Sequence, residues 1–144
     1  MRAALLAGLC LAAAAAGAGE VTVGPLVISD AWARPTPPGV TVGAVYLRIS
    51  NRGASADRLV AVSSPAAARG EIHEGRSRAG TIEMRQVPAL ACPPGATVSV
   101  SPGGLHLMLI GLRQSLAPGA DLPLTLTFQG AGSVTLAVPV QARD

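Results

Sequence analysis

The sequence predicts an all-β fold, a sandwich or barrel, on three observations. Turn formers recur along its whole length, as in Gly24-Pro25, Pro35-Thr36-Pro37-Pro38-Gly39, Asn51-Arg52-Gly53, Pro93-Pro94-Gly95, Pro102-Gly103-Gly104, Pro118-Gly119 and Gly130-Ala131-Gly132. The stretches between them are short, and either alternate apolar with polar residues or run continuously apolar. Short strands at this spacing, separated by turn chemistry, mark sandwiches and barrels.

In order, residues 21–29, 43–50, 58–63, 69–74, 81–87, 97–101, 105–110, 122–128 and 133–140 read as strands. Only 64–68 and 113–116 could hold a helical turn, the first opened by Pro65. From Leu122 to Phe128 the even-numbered residues are apolar and the register is clean. Pro123 and Pro139 suit edge or terminal positions, because proline cannot donate to a ladder. No internal repeat interrupts this pattern.

The first segment stands apart. Met1-Arg2 is a short positive start, residues 3–16 form an unbroken apolar run, and Ala16-Gly17-Ala18 is a small-x-small cleavage site. That is the layout of a secretory signal peptide. We therefore expect residues 1–18 to be a signal and 19–144 to be one exported domain, large enough for its own core. Cys10 could suggest lipid attachment, but Leu9 stands where a small residue is needed. No later apolar stretch approaches the length that spans a membrane.

The formal net charge is +3, falling to +2 once Arg2 leaves with the signal. All basic residues are arginines, and they are scattered, with only one Trp, one Tyr and one Phe. Nucleic-acid binding needs a basic stripe with stacking aromatics, which this chain lacks. Cys92 is the sole cysteine after the signal, so no disulfide within the chain is expected. Its apolar neighbours favour a buried, inert thiol. Trp32 and Tyr46 read as core aromatics.

Chemistry concentrates in four residues. Beyond the signal the chain has two histidines and two methionines, ordered His73, ten residues, Met84, twenty-one residues, His106, one residue, Met108. In a strand over 105–110, His106 and Met108 point to one face, roughly 7 Å apart, while Leu105, Leu107 and Leu109 take the core face. A methionine is usually core filler and a strand histidine is usually solvated, but here leucine already fills the core register. Soft thioethers with imidazoles select Cu(I) over Zn, Ca or Mg. Four neutral donors suit a monovalent ion and permit its transfer to thiolates.

The arrangement H-x10-M-x21-H-x-M resembles that of the periplasmic copper chaperones of the PCuAC type, which supply the dinuclear copper site of cytochrome c oxidase. Asp30-Ala31-Trp32-Ala33-Arg34-Pro35, Gly43-Ala44-Val45-Tyr46-Leu47, Glu71-Ile72-His73-Glu74 and, above all, the stretch from Ser101 to Leu112 are similar to that family in order. The resemblance implies a cupredoxin-like Greek-key β-sandwich. It implies one Cu(I) per chain, held by His73, Met84, His106 and Met108 as metal ligands. It also implies a monomer in the periplasm whose partner is a copper acceptor, either cytochrome c oxidase subunit II or a thioredoxin-like assembly factor. Some members carry Met directly after the first His, where this chain has Glu74, and some carry a His- and Met-rich tail for a second copper; with Gln141-Ala142-Arg143-Asp144 at that place, only one copper is expected here.

A periplasmic copper buffer would use the same four donors. An electron-transfer cupredoxin would need a Cys thiolate near its histidines, and Cys92 is not so spaced. No nucleophile motif points to an enzyme.

Overall fold

The computed structural model describes residues 19–143, so the expected signal segment lies outside the described residues. Eleven strands and no helix occur among them: β1 (Val21–Val23), β2 (Leu26–Ala33), β3 (Val42–Asn51), β4 (Asp57–Ser63), β5 (Ala67–Arg78), β6 (Thr81–Val87), β7 (Leu90–Cys92), β8 (Thr97–Val100), β9 (Leu105–Leu112), β10 (Asp121–Phe128) and β11 (Gly132–Pro139). One sheet runs β1-β2-β3-β9-β5-β6, with β8 beside β3, and the other runs β11-β10-β4-β7. Every strand pair is antiparallel. The chain crosses repeatedly between the sheets, and β9 returns to lie between β3 and β5. This is the Greek-key sandwich in one domain that the sequence predicts.

The inner faces of both sheets meet in a leucine-rich core. Leu107 and Leu109 of β9, Leu124 and Leu126 of β10, and Ile49 of β3 have no exposed surface, and Phe128 is 2% exposed. Each such side chain contributes on the order of 1.5–3 kcal/mol on leaving water. The sheets approach closely at Gly70, where a Cβ would sit 2.1 Å from the Val62 carbonyl oxygen. Only glycine fits there. Asp57 ties β4 to the turn after β10, accepting from the amides of Arg58 at 2.7 Å, Gly130 at 2.8 Å and Ala131 at 2.9 Å.

Several strand limits differ from the sequence reading, each for a local reason. The strand expected over 21–29 is split by a turn at Gly24-Pro25, with Gly24 at φ +54°. The second half, β2, then runs on to Ala33 through a bulge between Ser29 and Trp32, where Asp30 takes φ 51°. The extra residue places Trp32, rather than Ala31, opposite Tyr46. Strand β7 has only three residues between prolines, too few to show a period. Neither segment expected to hold a helical turn contains a helix: residues 65–66 form a turn that runs into β5 at Ala67, and 113–114 form a bend. Pro123 pairs with Ala137 of β11 but lies outside the ladder to β4, which begins at Thr125, so its missing N–H costs no bond there. No helix of the described residues is long and apolar enough to cross a membrane.

Candidate metal centre

The ladders decide which side chains can meet. His73 of β5 stands directly opposite His106 of β9, and Glu71 opposite Met108. On the other edge of β5, Gly75 stands opposite Met84 of β6. Residues two apart on a strand share a face, and cross-strand partners do too. His73, Met84, His106 and Met108 therefore lie on one face of the larger sheet. Ile72 and Leu107, the alternate residues, are buried in the core behind them, at 4% and 0% exposed. His73, His106 and Met108 are partly buried, whereas Met84 is exposed at 46%.

The residue opposite Met84 on β5 is glycine, so no side chain fills the space beside the thioether. A Cβ on Gly75 would lie 3.4 Å from Met84 Sδ, 3.2 Å from the Gly104 carbonyl oxygen and 3.3 Å from that of Gly103. The thioether thus shares one small space with the turn that leads into His106. The Gly75 amide donates to Gly104 O at 3.0 Å and fastens β5 to that turn.

The two imidazoles differ in surroundings. His106 Nδ1 is buried and has no hydrogen-bond partner. Burial lowers the pKa of His106 below its ordinary value; the Gly104 carbonyl pulls the other way, and the nearness of His73 and Arg34 adds to the lowering. The lowering favours the neutral ring, the form in which an imidazole can bind a metal. His73 Nε2 lies 3.2 Å from Glu71 Oε1, and Arg69 Nε donates to Glu71 Oε2 at 3.4 Å. The contact with His73 is the main cause that holds the Glu71 carboxyl below its usual range.

A row of rings leads to the site across the sheet. Trp32 and Tyr46 lie 4.9 Å apart between centroids, and Tyr46 and His106 lie 5.7 Å apart. The Arg34 guanidinium stands 5.9 Å from the Trp32 ring and 5.7 Å from that of Tyr46, and Arg143 stands 5.0 Å from Trp32. Both aromatics are buried core members, as the sequence suggests, and Tyr46 also walls one side of His106.

Cys92 lies elsewhere, on β7 of the other sheet and 1% exposed. Burial raises its thiol pKa, so it is an inert core residue. Glu74 follows His73 directly and therefore points to the opposite face. Glu71 is the residue of this face whose part the sequence reading missed. Its only signal is an acid two places before a histidine in a strand. Among the described residues no three His, Cys, Asp or Glu side chains gather to hold a metal.

The sandwich is of the PCuAC type. It resembles the copper-bound PCuAC domain from PmoF2 with a TM-score of 0.76 and 29% identity, covering 87% of this chain and 99% of that one. It resembles the Cu(I) form of DR1885 from Deinococcus radiodurans with a TM-score of 0.64 and 27% identity, covering 88% of this chain and 83% of that one. The chain belongs to the LpqE-like family ("Putative lipoprotein LpqE-like"), whose model matches residues 26–140. The lipoprotein-named Lxx21020 of Leifsonia xyli subsp. xyli is 31% identical over 115 residues, 79% of this chain and 68% of its own length.

Proposed function

We propose that the chain is a copper chaperone that binds one Cu(I) through His73, Met84, His106 and Met108 and passes it to an acceptor protein. The observation that carries the reading is the registration of β5 with β9 and of β5 with β6, which gathers all four donors on one face. Likeness to a copper-bound PCuAC domain and to a Cu(I) form of DR1885 supports copper as the cargo. Two imidazoles and two thioethers are a soft, neutral set that matches Cu(I). The role is binding and transfer rather than catalysis.

Transfer is favoured over storage by Met84. An exposed thioether on the sheet's edge strand is a donor that an incoming thiolate can replace without opening the core. The dinuclear copper centre of cytochrome c oxidase, reached directly or through a thioredoxin-like factor, is the acceptor we propose. Export to the cell envelope fits the expected signal segment and the lipoprotein name of the relative. Leu9 before Cys10 argues against lipid attachment at that cysteine.

The test is an anaerobic titration of residues 19–144 with Cu(I) against a colorimetric competitor, beside His106→Ala and Met108→Ala. One tight equivalent, lost in both variants, supports the reading. Absence of competition, or binding that depends on Cys92, refutes it.

A further inference from the structure

Arg69, Glu71 and His73 alternate along β5 and so share the outer face of the sheet. Their side chains grade from solvent inward, with Arg69 65% exposed, His73 20% and Glu71 15%. One Glu71 oxygen takes Arg69 and the other takes His73, so the carboxylate is fixed at both ends. An exposed ion pair of this sort contributes little by itself. What gives it meaning is the nitrogen it engages and the ring it faces.

We infer that Glu71 is a positioning residue that grips His73 by Nε2 and thereby selects Nδ1 as the nitrogen offered to copper. The inference rests on the reading of His73 as a ligand. A neutral imidazole carries one proton, and an ionised carboxylate can only accept. The Glu71 contact therefore puts the proton on Nε2 and the lone pair on Nδ1. Nε2 is the nitrogen through which His73 makes its side-chain hydrogen bond among the described residues. On the facing strand, His106 leaves that same atom, Nδ1, buried and unpartnered. With Nδ1 of His73 left free, copper need not displace Glu71 to reach this ring. Carboxylate partners of this kind fix the ring and raise its basicity, and their loss costs roughly 10–100-fold in metal affinity.

The experiment reads the tautomer directly. Long-range ¹H–¹⁵N NMR of the metal-free protein, above the titration of both rings, should show His73 protonated at Nε2. Glu71→Gln, whose amide oxygen still accepts, should keep that tautomer. Glu71→Ala should lose the preference, and its Cu(I) affinity by competition should fall roughly 10–100-fold. A wild-type His73 protonated at Nδ1 overturns the inference, and that measurement needs no variant to fold. A Glu71→Ala protein that keeps both tautomer and affinity also overturns it. A wild type that takes up no Cu(I) overturns the functional reading itself, and the inference with it; the wild-type titration tells the two failures apart.

Discussion

Gly75 stands opposite Met84 on the β5–β6 ladder, and the space where its side chain would be is bounded by the Met84 sulfur and the carbonyls of Gly103 and Gly104. Gly75→Ala would set a methyl 3.2 and 3.3 Å from the Gly104 and Gly103 carbonyls and against the sulfur at 3.4 Å, so the turn leading into His106 must give by a few tenths of an ångström. The φ of Gly75 is not in the left-handed region, so alanine strains the site and leaves its own backbone conformation unchanged. We expect Cu(I) affinity to fall about tenfold, equivalent to about 1.4 kcal/mol, with little change in the urea midpoint. Competition titration and urea melts on one sample separate the two effects.

Met108→Leu and Met84→Leu keep apolar volume while removing sulfur. Such swaps cost under about 1.5 kcal/mol of stability. Each should lower the sulfur count seen by X-ray absorption of the Cu(I) protein by one and weaken binding, with the fold intact by circular dichroism.

Leu107 backs the site from the core and has no exposed surface. Leu107→Ala should destabilise the domain by about 2–5 kcal/mol in urea melts. Because its neighbours on β9 are His106 and Met108, the same variant should also loosen copper binding.

Acid should destabilise the metal-free protein in two steps. The folded-state pKa of His106 is lowered, chiefly by burial, so the unfolded chain takes up this proton first. Stability present above about pH 6.5 is then lost as pH falls through the lowered folded value. Glu71 is also lowered, chiefly by His73, so its contribution is present above about pH 4.3 and is lost further down. Urea midpoints across a pH series check this. His106→Leu should flatten the upper limb, and a limb of unchanged slope would contradict the assignment.

The fold was legible where the chain alternates over six or more residues, as at 105–110 and 122–128, because burial on one face writes the period into the sequence. It was illegible where the structure depends on distant partners. Strand β7 exists because Cys92 and Leu90 pair with Asp57 and Leu59 of β4. The overhang of β5 to Arg78 exists because β6 pairs with it there. The pairing of His106 with Met108 was readable from strand geometry. That His73 faces His106 and Met84 crosses Gly75 are matters of register between strands, which no local pattern encodes. Glu71 went unnoticed for the same kind of reason, since its meaning comes from which face β5 turns outward.

The place of β9 between β3 and β5 also bears on when the protein can first hold an ion. His73 and His106 are brought face to face only when a strand from late in the chain is inserted into a sheet whose other members were made earlier. Closing such a non-local ladder is a slow step in β folding. Until it closes, the donors are scattered along a flexible chain with no shared face. If these four residues are the ligands, as proposed, loading must follow folding, and a chain exported unfolded would acquire its cargo only after it folds.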